Sequence, residues 1–156
     1  MQSFSRWLLL VLGLSLTLSA SAAKDPNEKA IKARQAVMTL QSWYAGPLFQ
    51  MAKGDLEYDA EMARTYAFHL NTMANAEAGA MWPEGSDNES YDGMTSALPE
   101  LWLTWPEVGE KAAVLSEVAA DLAEVAGDGL DALRSKIGPV GEACKSCHDD
   151  FRAELR

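Results

Sequence analysis

From Leu130 to Phe151 apolar side chains recur at steps of three and four: Leu130, Leu133, Ile137, Val140, Cys144, Cys147 and Phe151. That spacing is one face of an α-helix. It puts the only two cysteines of the chain on the side that must be buried, with His148 directly after them in EACKSCHDDF, Glu142 to Phe151. Each helical residue advances about 100°, so Cys144, Cys147 and His148 share one face and a single object can touch all three. Asp128 is expected to cap this helix, and Pro139 to bend it.

Such a stripe needs neighbours, and three further helices are legible upstream. Asp25-Pro26-Asn27-Glu28 opens the first with a capping residue, a first-turn proline and a Glu that can close a capping box. Its apolar face reads Ala30, Ala33, Val37, Met38, Tyr44, Ala45 and Leu48, and Gly46-Pro47 is expected to kink or end it. Asp59 caps a second helix with Met62, Tyr66, Leu70 and Met73 inward. A polar connection, Glu84 to Ser96, follows; loops of this length are often functional. The third helix starts near Pro99 or at Thr104, where Thr104-Trp105-Pro106-Glu107 reads as a capping box, and Gly127 ends it. No segment shows strand alternation. The fold class is all-α, an antiparallel four-helix bundle.

The N-terminus is read separately. Arg6, the apolar run Trp7 to Leu18 and Ala20-Ser21-Ala22 have the form of a cleaved secretory signal over residues 1–22, leaving one domain over 23–156. A retained anchor is the competing reading, although the run is short for a bilayer span. The formal net charge of −10 argues against nucleic acid and anionic lipid as partners. A cationic protein partner is compatible with it.

Three chemistries compete for the two thiols and the imidazole. Cys-x-x-Cys-His is the attachment sequence of a c-type haem, in which both thiols add to vinyl groups and the histidine ligates iron. A redox dithiol ordinarily sits at a helix start, where the dipole lowers a thiol pKa, whereas this motif lies late in its helix. A zinc site needs a fourth ligand, and only His69, expected on the surface, is left. A disulfide within one helical turn is geometrically poor. Export favours the haem reading, under which the last helix holds the cofactor. No phosphate loop, nucleophile elbow or zinc-protease motif is present, and the chain is read as a binding or carrier protein, not an enzyme.

The pattern resembles the class II c-type cytochromes, above all cytochrome c′. KARQAVMTL (Lys32 to Leu40), YDAEMAR (Tyr58 to Arg64), ALPELW (Ala97 to Trp102) and VGEACKSCHDDFR (Val140 to Arg152) look like the starts of the family's first three helices and its haem-bearing end. The resemblance implies one covalent haem c per chain on Cys144 and Cys147, with His148 as the axial iron ligand. It implies Arg34 and Gln35 at the haem, Arg34 beside a propionate, and Thr95 at the haem edge. Arg152 would stand beside the axial imidazole and weaken its donation to iron. Met38 looks like the residue over the opposite iron face. In cytochromes c′ that residue does not coordinate and the iron admits NO or CO; in low-spin relatives a methionine is the sixth ligand. A thioether suits either role, and Pro139 leans toward the low-spin relatives. The resemblance further implies a periplasmic protein active in electron transfer or small-gas binding, with an unidentified redox partner and a homodimer through the first two helices. The remaining methionines and Trp43, Trp82, Trp102 and Trp105 are read as packing residues.

Overall fold

The computed structural model describes residues 25–76 and 78–154; the expected signal segment, 1–22, lies outside them. Five α-helices run in the order α1 (Pro26–Lys53), α2 (Ala60–Ala74), α3 (Glu100–Leu103), α4 (Trp105–Val125) and α5 (Leu130–Phe151), with a 3-10 turn at Gly79–Met81. α3 is a one-turn lead-in to α4, so the long helices α1, α2, α4 and α5 make the four-helix bundle. Among the described residues no helix is long and apolar enough to cross a membrane.

Several local expectations hold and several are overturned. Asp25 caps α1, accepting from Asn27 N at 2.9 Å, and Asp59 caps α2, accepting from Met62 N at 2.7 Å. α1 does not stop at Gly46-Pro47: it runs through Pro47 to Gly54, whose φ of +87° supplies the left-handed C-cap. Proline costs one backbone hydrogen bond there, and the packing of flanking turns on α2 and α5 outweighs that loss. α5 is likewise continuous through Pro139. Asp128 is not its cap. Gly129 is, at φ +131°, while Asp128 pairs with Arg64 at 3.8 Å. The Thr104 capping box is also absent, because that hydroxyl donates back to Glu100 O at 2.9 Å.

The inward face of α2 is turned by one position from the expected one. Ala63, Ala67 and Leu70 are buried, whereas Met62 is exposed and Tyr66 and Met73 are half-buried. Small alanines let α2 approach its neighbours closely, and close contact buries more than a longer side chain held at a distance. The first helix departs in the same sense: its buried residues are Ile31, Arg34, Leu48 and Met51.

The core is packed into one end of the bundle. Leu48 and Met51 of α1 meet Ala63, Ala67 and Leu70 of α2, Leu122 of α4 and Leu133, Ile137 and Val140 of α5. Each fully buried aliphatic side chain contributes about 1.5–3 kcal/mol. At that end the Tyr58 hydroxyl donates to Ala126 O and accepts from Gly129 N, both at 2.9 Å, clamping the α4–α5 turn. The other end is left open between the helices, and the candidate site lies there.

Candidate functional site

A cavity of about 940 Å³ occupies the open end, within the size range of cofactor pockets. α1 contributes Arg34, Gln35, Met38 and Trp43, α2 contributes Tyr66, and α5 contributes Cys147, His148 and Phe151. The connection after α2 adds Trp82 and Thr95, and Arg152 stands just past α5. Thus Arg34, Gln35, Met38, Thr95, Cys147, His148 and Arg152, picked out from sequence between positions 34 and 152, share one space. Cys144, one turn before Cys147, is half-buried but off the cavity wall. Sequence reading missed Trp43, Tyr66 and Trp82 as cavity residues, taking them as packing.

The connection from Glu84 to Ser96 is a folded wall. Arg34 is 3% exposed and its guanidinium donates to Ser86 Oγ at 2.6 Å, Ser86 O at 2.5 Å and Thr95 Oγ1 at 3.0 Å. It lies 4.5 Å from the Trp82 ring centroid and 5.8 Å from that of Trp102, a desolvated cation–π arrangement. Burial pulls this group below its ordinary pKa and Asp87 opposes the shift; arginine stays cationic regardless. Gln35 Nε2 donates to Met94 O at 2.7 Å, and the Tyr91 hydroxyl donates to Asp25 Oδ2 at 2.6 Å. The side chains of α1 therefore hold the wall in place.

The α5 end is fixed from two sides. Leu98 N donates to Phe151 O at 3.0 Å and Ala153 N to Ser96 O at 2.8 Å, around a bridge between Ala97 and Arg152. From α4, Lys111 Nζ pairs with Asp150 at 2.7 Å and donates to Ser146 Oγ at 2.8 Å. Burial pushes both cysteine thiols up, and burial followed by the Arg152 cation lowers His148. A neutral imidazole is a metal ligand, whereas thiols with raised pKa values late in a helix lack the activation a redox dithiol needs. No cluster of three or more His, Cys, Asp or Glu suited to a metal ion occurs among the described residues. His69 is half-buried, its ring stacked 5.0 Å from that of Tyr44, not on the open surface.

A covalently held, flat, largely apolar cofactor fits this donor set. On the cavity wall Met38 is 41% and Trp43 66% exposed, apolar surface that such a group would cover.

Comparison with known proteins gives the same direction. The family model described as Cytochrome C′ matches residues 29–152. A cytochrome c′ from Halomonas halodenitrificans is 36% identical over 129 residues, covering 81% of this chain and 98% of the relative. The structure of cytochrome c′ from Rhodobacter Spheriodes superposes with a TM-score of 0.80 at 33% identity, covering 83% of this chain and 98% of that one. A further cytochrome c′ structure, described as having an unusual ligand-controlled dimer dissociation, has a TM-score of 0.76 at 33% identity and covers 85% of this chain and 100% of that one.

Proposed function

Because the chain belongs to the cytochrome c′ family and so carries one covalent haem c, we propose that Cys144 and Cys147 hold that group by thioethers and His148 is its axial iron ligand. The observation that carries this reading is the single cavity shared by Cys147, His148 and Met38. The bound haem supplies one-electron chemistry and a coordination position for a small gas. The protein does the rest. The Lys111–Asp150 clasp and the 96–98 strap keep the motif-bearing turn still, and Arg152 opposes protonation of His148.

Met38 would lie against the cofactor without serving as an iron ligand, leaving the site able to take NO or CO. The solved relatives just described are cytochromes c′, so coordination by Met38 is the less favoured alternative. Arg34 acts first as the anchor of the wall, and is the cation that would attract a propionate. No substrate turnover is assigned.

Residues 1–22 direct export, which places the protein in the periplasm. A homodimer belongs to the same reading: one relative is described as having an unusual ligand-controlled dimer dissociation, and Leu40 of α1 with Met62 and Phe68 of α2 are exposed apolar residues.

The absorption spectrum of the natively exported protein tests the haem reading. A high-spin pattern that changes with CO is expected; the absence of a Soret band would overturn it.

A further inference from the structure

Between Arg64 and Lys111 the chain has no lysine or arginine. That stretch forms most of α2, the cavity wall, α3 and the start of α4. Its exposed carboxylates include Glu84, Glu89, Asp92, Glu100, Glu107 and Glu110. The same stretch carries two large apolar side chains, Leu103 at 80% and Trp105 at 41% exposed, within a few positions of Glu100, Glu107 and Glu110. They flank Thr104, where φ −122° and ψ 39° interrupt the helix between α3 and α4. The break turns both side chains away from the bundle.

This patch backs directly onto the cavity. Leu101 and Val108, a few positions away on either side, line it. Trp82 lines it too, and its ring centroid is 6.3 Å from that of Trp102, whose Nε1–H donates to Trp82 O at 3.0 Å. The Trp82–Trp102 pair thus links the segment that carries Leu103 and Trp105 to the cavity wall.

We propose that Leu103 and Trp105, with the exposed carboxylates Glu100, Glu107 and Glu110 of the same helical segment, form the docking face for a cationic electron-transfer protein. The inference rests on the haem reading for its purpose and adds the class of partner. An apolar centre inside a charged rim is the anatomy of a specific interface, and a single-sign rim steers an oppositely charged partner toward it. The cations facing the rim offset it only in part: Arg34 is buried behind the wall, and Lys111 is paired with Asp150 while also attracting Glu107. Arg152, exposed and lining the cavity, is a further positive group to allow for. A second copy of this chain is a poor occupant, because two such faces would set carboxylates against carboxylates.

The test is isothermal titration of the haem-loaded protein with a lysine-rich mitochondrial cytochrome c, used as the cationic probe, both proteins oxidised. Affinity is expected to fall about tenfold between roughly 10 and 200 mM salt. At low salt the triple variant Glu100→Lys, Glu107→Lys, Glu110→Lys is expected to bind about tenfold more weakly, and Leu103→Ser about threefold more weakly. A control of equal charge change on the far part of the bundle, Glu117→Lys, Glu124→Lys, Asp131→Lys, should stay within about twofold. Equal weakening by face and control variants would overturn the proposal, as would an unchanged affinity in Leu103→Ser. A shift of the monomer–dimer equilibrium by Leu103→Ser in sedimentation would instead make the patch a self-interface and also overturn it. Binding is read without electron transfer, so a protein that binds the probe but lacks haem defeats the function reading and leaves the docking face standing.

Discussion

Arg34 and Ser86 are 52 positions apart, yet the Arg34 guanidinium donates to both the hydroxyl and the carbonyl of Ser86, at 2.6 and 2.5 Å. One buried cation on the first helix thereby holds the far wall of the cavity, with Trp82 and Trp102 stacked around it. Wall and helix form one unit.

Arg34→Met should lower unfolding free energy by about 2–4 kcal/mol, since Ser86 and Thr95 lose a charged donor inside the protein. Arg34→Lys should recover only part of that, because an ammonium cannot reproduce the planar fork. Urea denaturation followed by circular dichroism gives both values. Equal stability in all three proteins would contradict the anchoring role.

Met38→Ala is expected to leave the spin state of the purified cytochrome unchanged and to raise its affinity for CO by widening the pocket. Conversion from a low-spin to a high-spin spectrum on mutation would show that the sulfur had been an iron ligand.

Cys144→Ser and Cys147→Ser should each leave a single thioether, and the double variant none. Mass spectrometry of the denatured, acid-extracted chain checks this: the wild type and both single variants retain the haem mass, and the double variant runs as the bare polypeptide.

The contact of Asp25 with Tyr91 makes wall stability acid-sensitive. The Tyr91 hydroxyl, then Asn27 N, hold the Asp25 carboxyl below its ordinary 3.8, and Asp87 is lowered by its bonds to the Ser90 turn. A carboxylate with a depressed folded pKa adds stability above its unfolded value of about 3.9. That stability is lost as pH falls through the folded value. The urea midpoint of the wild type should therefore drop below about pH 4, and Tyr91→Phe should show a smaller drop. Identical pH profiles would rule out the Asp25 contribution.

Tyr58→Phe removes a hydroxyl that serves Ala126 O and Gly129 N at once, and should cost about 1–2 kcal/mol. Thermal unfolding measures it, and the haem spectrum should not change because the clamp is at the packed end.

Legibility from the chain alone followed the range of the interactions. The Asp25 and Asp59 caps depend on residues within a turn or two and stand as read; the stripe of α5 holds for Leu133, Ile137, Val140 and Phe151, while Ala143 is buried and Leu130, Cys144 and Cys147 are half-buried. Asp128 and Thr104 were misread because each has a competing outcome settled by a neighbour: Arg64 draws off Asp128, and Glu100 O takes the Thr104 hydroxyl; of the two outcomes expected at Gly46-Pro47, a kink or an end, packing removes the end by carrying α1 past the proline. The face of α2 slipped to Ala63 and Ala67 for a related reason, since residue hydrophobicity ranks Met62 above alanine while interhelical distance does the opposite.

The order of residues by itself determined the helices, the shared face of Cys144, Cys147 and His148, and the charge asymmetry between Arg64 and Lys111, all being matters of spacing along a helix or of counting. Only the tertiary structure decided that the core fills one end and leaves the other hollow, that Arg34 is buried under two indoles, and that Leu103 and Trp105 point outward beside the cavity. Those outcomes depend on which surfaces from distant parts of the chain exclude water together, and periodicity carries no record of that.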